Sequence, residues 1–191
     1  WLDDVVIGER LCPFAAPVRL EPRLRLRASE AGTADAAVQE VAEEAERLAA
    51  GLRDPPPGPP GAWPETTLLV MCAETQPFVS GWLDLVRLSW RLQAEAVDAR
   101  GLAGSLQLVL FHPLAVHSAY GEGPSDAADY SIRAPHPTVH LLREADVMRA
   151  VQSHPDASQI PARNKARLRA QGIGECAARL AACADAAGRG G

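Results

Sequence analysis

Apolar positions along the chain recur with two spacings, one typical of helices and one typical of strands. Helical spacing or capping signals mark residues 2–10, 35–52, 77–99, 146–153 and 160–187. Strand patterns mark residues 23–27, 66–72, 106–111 and 138–142. Strands that alternate with helices in this way predict a sheet covered by helices.

The first strand pattern is a strict alternation of arginine and leucine, Arg23-Leu24-Arg25-Leu26-Arg27. Successive side chains of a strand point to opposite faces of its sheet. We therefore expect the two leucines to face the core and the arginines to face solvent.

The predicted fold class is α/β, with about four strands in a mostly parallel or mixed sheet. We expect residues 1–191 to form a single domain. Two segments interrupt the pattern, a proline-rich loop at 54–61 and a flexible tail at 188–191. The loop 113–137 is long for a compact domain, and such loops are often functional.

Composition narrows the classes of function that the chain can have. A net charge of −5 argues against nucleic-acid binding through the overall electrostatic field of the protein. No apolar run reaches the roughly 18–20 residues of a membrane span, and no basic signal-peptide region is visible. Four cysteines without zinc-ribbon spacing indicate free thiols in a reducing compartment, which predicts a cytoplasmic protein.

Candidate chemistry concentrates between His112 and His140, a segment that holds four of the five histidines. His112 follows a strand, and ligands of open α/β sheets bind at the carboxyl ends of strands. The same segment carries further titratable or cationic candidates, which are Asp126, Asp129, Tyr130 and Arg133. We predict His112, His140 and Tyr130 as catalytic residues.

His112 and His140 could approach each other if their strands are neighbours. A divalent metal, iron or zinc, would then need a loop carboxylate, and Asp126 is the candidate third ligand, with Asp129 and Glu122 as alternatives. Glu144 is unsuitable because an extended strand would hold it about 13 Å from His140. Acid–base catalysis by a histidine without metal and a purely structural role for both histidines remain open alternatives.

Two arginines and one cysteine complete the candidate set. Arg133 and Arg143 could bind an anionic substrate through their guanidinium groups, or could form internal ion pairs. Cys12 is a candidate catalytic thiol if the fold exposes it near a cation. Haem ligation by the Cys12-Pro13 pair is a lesser alternative to a divalent metal.

Several blocks of the chain resemble one bacterial family, catalogued as domain of unknown function 1415. The blocks are Leu11-Cys12-Pro13-Phe14-Ala15, Thr66-Thr67-Leu68-Leu69, Phe111-His112-Pro113, Asp129-Tyr130, His140-Leu141-Leu142-Arg143-Glu144-Ala145 and Arg163-Asn164. The resemblance covers about residues 1 to 170. It supports a shared candidate set, Cys12, His112, Arg133, His140, Arg143 and Glu144, and implies no particular reaction.

The favoured hypothesis is a small-molecule enzyme with a histidine-centred pocket for an anionic substrate, either a metal-dependent oxidoreductase or a hydrolase. An alternative is a regulatory module that binds RNA or an acidic partner. Its basis is the arginine stripe of residues 23–27 together with the basic helix that carries Arg163, Lys165, Arg167 and Arg169. A subunit of a larger assembly, including a homo-oligomer, is the third reading.

Overall fold

The structure is a computed structural model of the 191-residue chain, and it describes residues 1–21, 23–53, 64–117 and 126–188. The predicted proline-rich loop 54–61, Glu122 and the final three residues of the predicted tail lie outside the described residues. None of the described helices is both long enough and apolar enough to cross a membrane.

The chain alternates helices and strands, as the sequence pattern predicted. The strands are β1 (Leu24–Ala28), β2 (Thr66–Val70), β3 (Leu106–Phe111) and β4 (Thr138–Arg143). The α-helices are α1 (Ala15–Leu20), α2 (Ala34–Arg53), α3 (Trp82–Arg91), α4 (Glu144–Ser153), α5 (Ile160–Gln171) and α6 (Ile173–Gly188). Shorter π and 3-10 segments are Leu2–Ile7, Pro77–Val79, Leu92–Val97, Asp98–Arg100, Ala127–Ser131 and Ala157–Gln159.

The four strands form one mixed sheet in the order β1-β2-β4-β3. β1 and β2 are parallel, whereas β4 is antiparallel to both of its neighbours, β2 and β3. The helix α2 connects the parallel pair, as a crossover connection requires. The predicted α/β class with a four-stranded mixed sheet is confirmed.

One face of the sheet packs tightly under α2 and α3. Alternate residues of each strand point into this core, and its largest fully buried side chains are Leu48, Leu69, Met71, Leu85, Leu92 and Leu141. The opposite face receives the other residues of each strand, among them Leu68, Val109 and His140. That face is covered by the N-terminal segment and by α4.

The expected orientation of β1 is wrong. Arg25 and Arg27 point toward α2, where both bond to Glu44, whose side chain is fully buried. Leu26 is 54% exposed on the opposite face. In this orientation two guanidinium groups pair with the buried Glu44 carboxylate, which would be strongly destabilising if it were left unpaired.

The helix α1 was not predicted, because Pro13 and Pro17 indicated a break in the chain. Pro17 lies within the first turn of α1, where backbone N–H groups have no partner inside the helix. Proline therefore loses no hydrogen bond at this position. The helical range 160–187 is divided into α5 and α6 at Gly172, whose φ is 85°.

Candidate functional site

A cavity of about 600 Å³ lies on the second face of the sheet. Its floor consists of side chains from all four strands, and its walls come from the N-terminal segment and α4. The lining is mostly apolar, with contributions from Val6, Phe14, Leu24, Leu68, Val109 and Leu142. Such a space suits a small molecule with a substantial apolar body.

His140 lies at the middle of β4, on the cavity floor. Its position follows from the alternation of the strand, since Val139 and Leu141 point into the opposite core. Register places His140 opposite Leu68 on β2 and opposite Val109 on β3. The imidazole therefore emerges from the centre of the sheet and not from a loop.

The hydroxyl of Thr66 determines which nitrogen of His140 carries the proton. Thr66 Oγ1 donates its single proton to the carbonyl oxygen of Leu141 at 2.6 Å. The 2.6 Å contact between Thr66 Oγ1 and His140 Nε2 must then have the Nε2–H group as donor. His140 Nδ1 is left as an acceptor without a partner among the described residues.

Enclosure by the cavity lowers the pKa of His140 to about 4, because burial disfavours the charged imidazolium. The ring is therefore neutral at physiological pH, with an open lone pair on Nδ1. Two aromatic rings lie in a row beside His140. The Phe111 ring is 6.2 Å from the His140 ring, and the Trp1 ring is 5.3 Å from the Phe111 ring.

The structure does not bring His112 and His140 together. His112 lies on the α3 side of the sheet, 1% exposed, with its ring 6.3 Å from Trp82. Its Nδ1 accepts the Leu114 N–H at 3.0 Å, so its Nε2–H donates to the Val79 carbonyl at 3.0 Å. Both ring nitrogens are hydrogen-bonded to backbone groups. This arrangement agrees with a purely structural role for His112, which was one of the alternatives from the sequence.

The expected metal ligand set is not assembled. Asp126 caps the 3-10 segment Ala127–Ser131 by accepting the Ala128 N–H, and it pairs with Arg169 at 2.6 Å. These contacts lower the pKa of Asp126 to about 2. Within the described ranges, no three His, Cys, Asp or Glu side chains are grouped as metal ligands.

Arg133 is held inside the loop that follows β3. Its Nε donates to the Ala115 carbonyl at 2.9 Å, and its guanidinium lies 4.5 Å from the centre of the Tyr130 ring. Asp129, which is buried, lies 3.9 Å from it. Tyr130 itself lines the cavity, so it is the one member of this group that a ligand could contact.

Arg143 belongs to a chain of ion pairs at the rim of the cavity. It bonds to Asp146 on α4 and lies 3.7 Å from Glu65, which in turn pairs with Arg23 at 2.9 Å. Arg149 also pairs with Asp146, at 2.8 Å. Positive and negative groups alternate along this chain, so Arg143 serves internal neutralisation.

Cys12 lines the cavity beside Asn164 of α5. Burial raises the pKa of the Cys12 thiol, so the thiol is protonated at neutral pH and is a poor nucleophile. Asn164 is buried, and its Nδ2 donates to the Leu11 carbonyl at 2.6 Å, which ties the cysteine segment to α5. All four cysteines are free, as expected.

The basic surfaces behind the RNA-binding alternative are largely internally paired. Arg23, Arg25 and Arg27 contact the carboxylates of Glu65 and Glu44. In α5, Arg167 pairs with Glu9 and Arg169 pairs with Asp126, as described above.

The family model "Protein of unknown function (DUF1415)" matches residues 1–178. The chain belongs to this family. Comparisons with curated proteins and with solved structures give no significant match. The matched range includes every element that borders the cavity.

Thr66, which bonds to His140, is the residue of the candidate site that the sequence patterns did not single out. The block Thr66-Thr67 was recognised only as part of a family motif, although a threonine pair that opens an apolar strand is a signal for polar contacts. Its partner, His140, could not be inferred from the sequence, because the register between β2 and β4 pairs residues that are far apart in the chain; Thr66 and His140 are 74 positions apart.

Proposed function

We propose that this chain is a small-molecule enzyme in which His140 accepts a proton from a substrate bound in the cavity. One observation carries the proposal: His140 Nδ1 is an open acceptor on the floor of an apolar cavity, while Nε2 is tied to Thr66. An imidazole with one nitrogen fixed and the other facing a substrate has the geometry of a general base.

Thr66 is the positioning residue of this arrangement. Its hydroxyl fixes the tautomer and holds the ring plane, and no carboxylate bonds to His140 among the described residues. Burial lowers the pKa of His140, and no carboxylate among the described residues bonds to the ring to raise it again. A base of low pKa suits a substrate whose proton is comparatively acidic, because proton transfer then costs less free energy.

The apolar walls favour a substrate with an apolar body. Apolar surroundings also lower the effective dielectric around the base, which strengthens the electrostatic interactions of the reacting groups. Tyr130 and Cys12 line the same cavity and supply a phenol donor and a weak thiol donor for substrate oxygen atoms. The four free thiols are in keeping with a protein of the reducing cytoplasm.

A nitrobenzisoxazole tests the proposal without knowledge of the natural substrate. A base removes the ring C–H proton, the N–O bond breaks, and the product is a coloured nitrile phenolate. The proton passes to His140 Nδ1 and then to water. We expect saturable acceleration by the wild-type protein and a loss of at least about tenfold in kcat for His140→Gln.

The matched control is Arg87→Gln, which changes an exposed side chain on the outer surface of α3. Its kcat should equal that of the wild type. Thr66→Val should lower kcat, retain KM and shift the pH profile, because Nε2 loses its fixed acceptor. Acceleration that survives in His140→Gln, or a wild type that binds the probe without accelerating its decay, would overturn the proposal.

A further inference from the structure

A second space, of about 500 Å³, adjoins the cavity. Cys12, Pro13 and Asn164 line both spaces, so the two meet along these residues. The other residues that line this second space are Ile7, Ala16, His154 and three arginines, Arg10, Arg163 and Arg167. We call this space the basic cleft.

Two arginines of the basic cleft have no carboxylate partner among the residues that the structure describes. Among arginines with described side chains, all but two contact a carboxylate. The two exceptions are Arg10 and Arg163, and both line the basic cleft. This local excess of positive charge stands out in a chain with a net charge of −5.

The backbone at Arg10 is unusual for an arginine. Arg10 has a φ of 53°, in the left-handed region, and it follows the helical turn Leu2–Ile7. Its N–H bonds to the Ile7 carbonyl, and the Leu11 N–H bonds to the Val6 carbonyl, which is the Schellman pattern of a helix end. That position favours glycine, so Arg10 adopts its backbone conformation at an energetic cost.

We propose that the substrate is an amphipathic molecule whose apolar body occupies the cavity beside His140 and whose oxyanion, a carboxylate or phosphate, binds Arg10 and Arg163. This inference rests on the proposed function and names the substrate class of the same site. A guanidinium group matches the oxygens of such an anion. The buried Asn164 amide donates to the Leu11 carbonyl, and this bond fixes the chain segment between the two spaces against α5.

Two fluorescent probes that differ in one group separate the parts of the proposal. Phenylnaphthylamine is apolar and neutral, and anilinonaphthalene sulfonate is the same ring system with an added sulfonate. We expect the wild type to bind both, with a dissociation constant about tenfold lower for the sulfonate. Excess inorganic sulfate should weaken binding of the sulfonate probe and leave the neutral probe unaffected.

Arg10→Gly and Arg163→Gln should each remove most of this tenfold preference without changing the affinity for the neutral probe. Arg10→Gly keeps the backbone conformation that the position requires, so its Tm should equal or exceed that of the wild type. Arg87→Gln is the control for loss of one exposed arginine and should retain the preference.

The outcomes distinguish the two proposals. If the wild type binds neither probe, the cavity is not a ligand-binding site and the proposed function is wrong as well. Equal affinity for both probes, or a preference that survives in Arg10→Gly and Arg163→Gln, would overturn the oxyanion site alone. In that case the acceleration of nitrobenzisoxazole decay by His140 would still stand as a separate result.

Discussion

His112 and His140 lie on opposite sides of the sheet, and they differ in how their ring nitrogens are hydrogen-bonded. His112 lies under α3 with both ring nitrogens bonded to backbone groups. His140 lies on the cavity face with one nitrogen bonded to Thr66 and the other open. The comparison shows that a histidine at the end of a strand can be structural while one in mid-strand is available for chemistry.

Removal of the His112 ring should have the largest effect on stability. His112→Ala leaves the Val79 carbonyl and the Leu114 N–H unpaired in a buried site and creates a void. We expect a loss of about 3–5 kcal/mol in the free energy of unfolding, measured by urea denaturation. His140→Ala should cost about 1 kcal/mol, because it loses one hydrogen bond beside an existing cavity. Equal losses for the two variants would invalidate the comparison.

Acidification should act on the cavity face through His140. Its pKa is about 4 in the folded protein and 6.5 in its ordinary environment, so between these values the unfolded chain binds more protons. The stability contribution is complete above pH 6.5 and is lost as the pH falls toward 4. We expect a loss of about 3 kcal/mol across this window.

The control for this pH effect is the His140→Gln variant. Burial also lowers the pKa of His112, so some acid sensitivity should persist in that variant. The difference in unfolding free energy between wild type and His140→Gln, measured from pH 7 to pH 4, isolates the contribution of His140. A difference that does not change with pH would contradict the lowered pKa.

The packed face contains a buried carboxylate whose loss should also be costly. Glu44→Gln removes the charge that Arg25 and Arg27 share, at distances of 2.9 and 3.1 Å. We expect a loss of about 2 kcal/mol in unfolding free energy. Glu43→Gln is the matched control, because Glu43 is 65% exposed and has one contact at 3.6 Å, and it should change stability by less than about 0.5 kcal/mol.

The smallest effect should be a gain, at the edge of the basic cleft. Arg10→Gly relieves the left-handed conformation of a residue with a Cβ atom, and it should raise the free energy of unfolding by about 0.5–1 kcal/mol. The gain should appear in thermal and urea denaturation alike. A loss would indicate that the Arg10 side chain stabilises the fold through contacts of its own.

The fold could be predicted well from the sequence, and the candidate site only in part. The four strands and the longer helices follow from local periodicity, whereas α1 does not. The orientation of β1 could not be predicted, because alternation shows that Arg25 and Leu26 face opposite ways but does not show which face carries the buried Glu44. His140 was identified, whereas Thr66 and Arg10 required the assembled chain.

What the sequence by itself determined is the four strands, the longer helices, their order and the alternation that places His140 and Val139 on opposite faces. These properties depend on residues that are near one another in the chain. Only the tertiary structure decided which histidine is free, since the bonds of His112 and His140 come from Val79 and Thr66, which are 33 and 74 positions away. Strand register and helix packing bring such partners together, and neither leaves a local trace in the sequence.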